Sequence, residues 1–215
     1  MARRAQGTPA GLSRERIAAA AVELVDRRGL ENFGVRPLAS ALGVDPMSIY
    51  NHIKGKAALL DAVSESILGE RLATAVEWPD DWMDVARLMA RRYRDVATRH
   101  PRVFPLLTTR AQTSATALEA VERLTAAMRR AEIAEQAIAD APLVLFGFLN
   151  GYLLATLGTE VGGIGDTTGG SVPAFDPALY PTLAALAPLQ AGFGGEAEFE
   201  RMLEVVLFGI AGSAA

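Results

Sequence analysis

The pattern of apolar and polar residues along the chain has a helical period, beginning close to the N-terminus. In the segment SRERIAAAAVELVDRRG the apolar stripe is formed by Ile17, Ala21, Leu24 and Val25. Ser13 stands where a helix N-cap belongs, and Gly29 stands where a helix stop belongs. A first helix is therefore predicted between these two residues.

Two short helices joined by a tight turn are predicted in residues 35–56, VRPLASALGVDPMSIYNHIKGK. Leu38 and Leu42 mark the apolar face of the first, and Gly43 tolerates the positive φ that ends it. Asp45 can cap the second helix, and Pro46 suits its first turn because the missing N–H would be unpaired there anyway. Packed on the preceding helix, this pair is typical of a helix-turn-helix.

The second helix of the pair is predicted to present polar and small side chains outward. Ile49 and Ile53, four residues apart, point back toward the domain. The side chains left on the outer faces are those of Met47, Ser48, Tyr50, Asn51 and His52. Lys54 and Lys56, the only lysines in the chain, follow where a phosphate backbone would pass. The second helix of a helix-turn-helix enters the major groove of DNA, although an αα-hairpin with no DNA role shows the same pattern.

Further helical stripes occupy the rest of the chain, at about residues 82–98, 114–130, 177–189 and 196–209, with a brief helix or turn at 132–140. The stripe of the second is formed by Leu118, Val121, Leu124 and Met128. Because no segment alternates as a strand does, the predicted fold is all-α. An N-terminal three-helix helix-turn-helix domain is joined to a C-terminal helical bundle that dimerises.

Residues 141–159, APLVLFGFLNGYLLATLGT, carry no charge and have nearly the length of a membrane span. Asn150, Pro142 and three glycines lower the apolarity of the segment, and no Lys/Arg cluster flanks it. The alternative is a helix buried on all sides, against its own chain and against a second copy. With the final helix it would form a four-helix bundle between two subunits.

The stretch VGGIGDTTGGSVPAFDP between those helices has five glycines and no periodicity, which predicts a mobile loop at about 161–176. It lacks the Gly-Lys-Ser/Thr of a phosphate-binding loop, and no strand precedes it. We therefore expect no nucleotide site there.

The net charge of −4 conceals a division along the chain. Residues 1–60 hold nine Lys/Arg and five Asp/Glu, a net of +4, whereas residues 61–215 have a net of −8. A basic head on an acidic body directs polyanion binding to one end of the molecule. The chain has no cysteine and no apolar signal segment at its start, so a cytoplasmic protein is expected.

Three parts are predicted: a flexible basic arm over residues 1–12, a helix-turn-helix domain over 13–58, and an effector-binding and dimerisation domain over 59–215. Arg3 and Arg4 of the arm either add DNA contacts or form a solvated tail.

Residues 13–68, and LGVDPMSIYNHIKGKAALLDAV in particular, resemble the TetR family of bacterial transcriptional repressors, closest to its tetracycline-repressor branch. The resemblance implies DNA-contacting roles for Arg36, Pro46, Met47, Ser48, Tyr50, Asn51, His52, Lys54 and Lys56. It implies that Arg36 contacts a guanine edge or a phosphate and that Pro46, Met47 and Ser48 face bases. Tyr50, His52 and Lys56 would hold phosphates. Asn51 replaces the aromatic residue of that branch and would either read a different base or bind a phosphate. Because Pro46 and Met47 also differ from that branch, a different operator is expected.

The resemblance also implies an effector pocket inside the bundle. The candidate lining residues are Trp82, Tyr93, Thr109, Gln112, Phe146 and Asn150. Asn150, the lone amide of an uncharged helix, needs a partner, which is an effector, a backbone carbonyl or its symmetry mate. Leu106 stands where that branch has a metal-ligating histidine, so no metal or other cofactor is expected. His100 is interpreted as a helix C-terminal residue favoured by the helix dipole.

These features predict a homodimeric, ligand-responsive repressor that binds a near-palindromic operator and is released by a small hydrophobic effector. One alternative is an architectural DNA-binding protein with no effector. A helical-bundle enzyme is a weaker one because no nucleophile–base pair or carboxylate pair can be proposed. The expected partners are duplex DNA, a second copy of the chain and an unidentified small molecule, with no membrane.

Overall fold

The computed structural model describes residues 11–72, 77–161, 175–190 and 193–212, and within these ranges all regular elements are helices. The head begins with α1 (Arg14–Arg28), a 3₁₀ turn (Leu30–Asn32), α2 (Val35–Leu42) and α3 (Pro46–His52). The predicted boundaries of α1 are confirmed: the Arg16 amide donates to Ser13 Oγ over 3.2 Å, and Gly29 ends the helix with φ 79°. The arm of residues 1–10, with Arg3 and Arg4, lies outside the described residues.

The body consists of helices that range from 5 to 27 residues in length. They are α4 (Gly55–Leu72), α5 (Trp82–Arg99), α6 (Pro105–Thr109), α7 (Ala115–Arg130), α8 (Glu135–Val161), α9 (Pro181–Leu186), a 3₁₀ turn (Ala187–Gln190) and α10 (Glu196–Gly212). The α4 helix packs along both α1 and α5, so it joins head and body. Buried apolar residues of both parts form one continuous core, from Ile17 and Leu38 in the head to Phe199 and Leu203 in α10.

The segment preceding residue 141 is not the separate short helix or turn expected from the sequence. Residues 135–161 form the single helix α8, with Pro142 inside it. Proline removes one intrahelical hydrogen bond and normally interrupts a helix. Here Ile138, Ala141 and Leu145 are buried on the face that α8 turns to the body, and this packing holds the helix across the proline.

Helix α8 is also long and apolar enough, by length and composition alone, to cross a membrane over Glu135–Leu157. Its residues Leu145, Leu149 and Leu153 are nevertheless buried against the rest of the chain. This is the packing expected of a bundle helix.

Two other expectations from the sequence are wrong in detail. The α-helix predicted at about 177–189 covers only Pro181–Leu186, after which the chain continues as a 3₁₀ turn that contains Pro188. Leu118, predicted to lie on the buried stripe of α7, is 54% exposed. Most of the glycine-rich loop expected at 161–176 lies outside the described residues.

Candidate functional site

The turn between α2 and α3 is built as its residues predict. Gly43 ends α2 in the left-handed region, with φ 67° and ψ 31°, and the Val44 amide donates to the Ala39 carbonyl. Asp45 Oδ1 accepts a hydrogen bond of 2.8 Å from the Met47 amide, and Pro46 occupies the first helical position. The orientation of α3 is thus fixed by its cap and by Ile49, whose side chain is 1% exposed.

The side chains predicted to contact DNA lie on the surface of the head. Those that are exposed belong to Arg36, Met47, Tyr50, Asn51, His52, Lys54 and Lys56, while Pro46 and Ser48 are partly exposed. The Met47 side chain is 65% exposed, so it contributes little to the hydrophobic core of the head. An exposed apolar side chain among polar ones suits contact with a partner surface.

The cations around α3 have no acidic partner in the part of the chain that the structure describes. Arg36, Lys54 and Lys56 make no ion pair there, whereas many body arginines are paired. Examples are Arg87, whose Nε and Nη2 atoms donate to Glu204 over 2.7 and 2.8 Å, and Arg91, which binds Glu200. The positive charge around α3, which we call the reader helix, is therefore available to bind a polyanion.

We expect Asp45→Ala to weaken DNA binding through the loss of the α3 cap. Removing an N-cap costs about 1 kcal/mol, here at the first turn of the helix that carries Met47 and Ser48. Asp45→Asn is the matched control because it loses the same charge but keeps a capping oxygen. Thermal unfolding and fluorescence anisotropy with duplex DNA measure the two effects. Equal behaviour of the two variants would contradict a capping role.

The body contains a largely apolar cavity of about 270 Å³ between α4, α5, α7 and α8. Its lining is formed by Leu68, Leu72, Met89, Tyr93, Leu107, Thr108, Arg110, Gln112, Ala117, Ala120, Val121, Phe146 and Asn150. Four of the six residues predicted to line an effector pocket are among them: Tyr93, Gln112, Phe146 and Asn150. Such an enclosed space with few polar groups is typical of small-molecule sites.

Asn150 finds its partner within its own chain. The Tyr93 hydroxyl donates to Asn150 Oδ1 over 2.7 Å, and burial raises the pKa of Tyr93, so the phenol stays protonated. The Asn150 amide nitrogen has no hydrogen bond to the described residues. Gln112 Nε2 donates to the carbonyls of Leu107 and Arg110, so its Oε1 remains an acceptor. Among the described residues, the two N–H groups of Asn150 and Gln112 Oε1 are therefore available to a polar group of a bound molecule.

Trp82 and Thr109, the other two residues predicted for the pocket, do not line the cavity. Trp82 is 6% exposed and packs in the core at the start of α5. The Thr109 side chain is exposed, and its hydroxyl donates to the Pro105 carbonyl. Sequence reasoning also missed the leucines of α4 and α6 in the lining, since nothing local distinguishes them from core leucines. In the described residues no group of three or more His, Cys, Asp or Glu side chains is placed to hold a metal ion.

The outer faces of α8 and α10 carry apolar side chains that the single chain leaves exposed. They are Leu143, Val144 and Leu154 on α8 and Val205 and Phe208 on α10, with exposed glycines at 147, 151, 209 and 212. Leu143 is 75% exposed and Phe208 is 65% exposed. The two helices pack against each other, and we name their exposed apolar residues and glycines together the α8/α10 face. Continuous apolar patches of this kind mark interaction surfaces.

Comparison with known proteins identifies both halves of the chain. Residues 17–63 match the family model described as bacterial regulatory proteins of the tetR family. Residues 77–213 match the model of the tetracyclin repressor-like C-terminal domain. Together these matches cover the head and nearly the whole body.

Related sequences are regulators as well. An HTH-type transcriptional regulator of Saccharopolyspora erythraea is 27% identical over 94% of this chain and 86% of its own length. The HTH-type transcriptional repressor DrrR1 of Streptomyces coeruleorubidus is 27% identical over 69% of this chain, which spans just over half (55%) of that relative. The class D tetracycline repressor of Escherichia coli is 35% identical over 42% of this chain and 45% of its own length.

Solved structures share the fold. A TetR-family regulator from Streptomyces coelicolor superposes with a TM-score of 0.78 at 28% identity, covering 95% of this chain and 100% of that one. ActR from the same organism, solved with (S)-DNPA, has a TM-score of 0.77 at 23% identity, covering 96% of this chain and 100% of that one. With both family models matched and the capped reader helix in place, this chain belongs to the TetR family of bacterial transcriptional regulators.

Proposed function

We propose that this protein is a cytoplasmic, homodimeric repressor, without enzymatic activity, that binds a near-palindromic operator and is released by a small, largely apolar effector. The proposal depends on two features found together: an exposed, capped α3 beside cations that have no acidic partner among the described residues, and an apolar cavity in the body. An architectural DNA-binding protein would have no use for the cavity.

On the DNA side, exposure and charge support separate roles for the residues of the head. Arg36 can donate two hydrogen bonds to a guanine edge, and Met47 can contact a thymine methyl group, with Pro46, Ser48 and Asn51 facing bases beside them. Tyr50 and His52, with Lys54 and Lys56, would hold phosphates and fix the register. Residues 13–58 would act as the reading unit, with α4 continuing from it into the body.

Binding a near-palindromic operator also requires a fixed distance between two reader helices, which the α8/α10 face would supply. Two copies packed through this face form a four-helix bundle, and the exposed glycines allow close approach. Helix-turn-helix dimers place their readers about 34–36 Å apart, one turn of DNA. Further exposed leucines lie before α9 at position 179, in α9 at positions 183 and 186, and in the 3₁₀ turn at position 189, and they would add apolar surface for the partner.

The cavity indicates what kind of effector the protein would bind. Its one charged lining residue, Arg110, is bound to Asp61 and to the Ala57 carbonyl, so the cavity carries no uncompensated charge. A neutral molecule with an acceptor near Asn150 and a donor near Gln112 fits these free groups. Binding would weaken operator affinity by as much as the effector prefers a body conformation with different reader spacing.

Tyr50→Ala and Arg36→Ala should weaken binding in different ways. Loss of a phosphate contact at Tyr50 is expected to lower affinity about tenfold on every duplex, whereas loss of Arg36 removes discrimination worth about 1–3 kcal/mol at one base pair. An operator selected from random duplexes with the natural protein, and its single-base variants, serve as probes in gel shifts.

The control for lost charge is Arg130→Ala, at the exposed end of α7 in the acidic body, which should leave both affinity and base preference unchanged. If Tyr50→Ala and Arg36→Ala alter every duplex in the same ratio, the division into phosphate and base contacts is wrong. If selection enriches no sequence, the repressor proposal fails as a whole.

A further inference from the structure

His100, at the C-terminal end of α5, lies between two carboxylates from different helices. Its side chain is buried, with Nδ1 2.7 Å from Asp26 Oδ2 and Nε2 3.2 Å from Glu70 Oε2. Asp26 belongs to α1 of the head, and Glu70 to the last turns of α4. The role predicted from the sequence, a cation at a helix end, did not include these partners.

Only a protonated imidazole satisfies this arrangement. Neutral histidine has one N–H and one lone pair, so one of its nitrogens would face a carboxylate oxygen without a proton between them. The imidazolium donates to both carboxylates. Asp26 Oδ1 is buried without a hydrogen-bond partner among the described residues, so that carboxylate depends on His100 for compensation.

A second cation from the same turn holds the end of α1. Arg102 Nη1 donates to the carbonyl oxygens of Asp26 and Arg27, over 3.3 and 3.0 Å. These carbonyls lie in the last turn of α1, where the helix dipole favours positive charge. The turn after α5 therefore binds α1 of the head both through the Asp26 side chain and through the backbone carbonyls of Asp26 and Arg27.

The chain then runs directly from these contacts with α1 to the cavity. Val103 and Phe104 are buried, and α6 follows with Leu107 and Thr108 in the cavity lining. Residues 100–108 thus contact the head at one end and the proposed effector site at the other. A molecule that displaces α6 would act on the head through this short segment.

We propose that His100 is a positioning residue: as an imidazolium it clasps α1 of the head to α4 and α5 of the body, and the clasp holds the reader helix in the orientation that binds the operator. The proposal rests on the proposed repressor function and adds a proton-dependent control of it. This role for His100 is not part of the family assignment given above.

The charged groups that pack around His100 give the direction of the pH effect. They are Asp26 on α1 and Glu70 on α4, whereas Arg102, two residues further along, binds the backbone carbonyls of Asp26 and Arg27. Burial lowers the pKa of His100, but the hydrogen bonds and charges of Asp26 and Glu70 outweigh it, so the pKa is raised above 6.5. Because the folded pKa is raised, the clasp is fully present below pH 6.5 and is lost as the pH rises through the raised value.

The test compares operator affinity from about pH 6 to about pH 9 at constant ionic strength. His52, the other histidine, lies on α3, so His52→Gln is the background for all measurements and leaves His100 as the one imidazole in the protein. In that background, affinity for the selected operator is expected to fall about fivefold or more across the range. With His100→Gln added, affinity is already low at the acidic end and does not change with pH.

A purely structural role would lower affinity equally at every pH, and would lower binding to operator and random duplex alike. Random duplex, held by phosphate contacts alone, should show no pH-dependent loss attributable to His100. If the His52→Gln/His100→Gln protein retains the pH profile, or binds operator as tightly as His52→Gln, the proposal is overturned. Asp26→Asn is the second variant, should the glutamine substitution unfold the protein.

A measurement without DNA separates this proposal from the repressor function. Imidazole NMR titration of the free His52→Gln protein should give a midpoint above 6.5 for His100, and hydrogen exchange at the end of α1 should lose protection as that midpoint is passed. A midpoint at or below 6.5, or α1 protection independent of it, rejects the clasp even if no operator is ever found.

Discussion

Replacing Phe208 by glutamate is expected to yield a monomer that binds its operator about a thousandfold more weakly, close to the level of non-specific binding. Phe208 is 65% exposed in the single chain and lies on the α8/α10 face. In the proposed dimer, a carboxylate at this position would be buried against the apolar surface of the second copy, where the α8/α10 face offers it no cation as a partner. A lone head then contacts one half-site, and the advantage of two linked contacts is lost.

Leu118→Glu provides the matched control. Leu118 is also an exposed leucine of the body, 54% accessible, but it lies on α7 outside the α8/α10 face. Sedimentation equilibrium measures the assembly and fluorescence anisotropy measures operator affinity on the same samples. A Phe208→Glu protein that remains dimeric, or a Leu118→Glu protein that also dissociates, would show that the subunits meet elsewhere.

The head could be predicted from the sequence because its determinants are local. Gly43, Asp45 and Pro46 act on neighbouring backbone groups, and each occupies the position that its chemistry predicts. Periodicity likewise places Ile49 and Ile53 inside and leaves Tyr50 outside. No distant part of the chain is needed for these assignments, which is why both predicted ends of α1, the predicted end of α2 and the predicted start of α3 match the structure.

The cavity and the clasp depend instead on contacts between distant residues. Tyr93 and Asn150 are 57 positions apart, and His100 and Asp26 are 74 positions apart. The sequence identified Asn150 as a polar group that needs a partner and His100 as a residue at a helix end, but it did not identify the partner of either. Packing also determines the length of α8, because the core contacts of this helix outweigh the tendency of Pro142 to interrupt it.

The second large effect is expected from filling the cavity. Ala120→Trp places an indole in a space of about 270 Å³, from a position on α7 that is 3% exposed. No residue of α3 lines the cavity, so operator affinity should stay within about twofold, while release by effector is abolished because the ligand and the indole compete for the same volume. Overpacking costs about 1–3 kcal/mol, so Val121→Phe, a smaller change in the same lining, is the milder version.

Ligands for this measurement come from a thermal-shift screen of neutral apolar compounds against the unaltered protein. A compound at about one hundred times its Kd stabilises the folded state by about 2.7 kcal/mol, which for a chain of this size raises Tm by about 5–10 °C. Ala120→Trp should lose both the Tm shift and the release of operator, whereas Leu118→Trp, an indole on the exposed side of the same helix, should keep both. If Ala120→Trp still shows the shift and still releases DNA, the effector binds outside the cavity and Asn150 and Gln112 have no part in recognising it. Loss of the shift with release intact would separate stabilisation from induction, and would direct the search to the segment between α5 and α6, where cavity and head are joined.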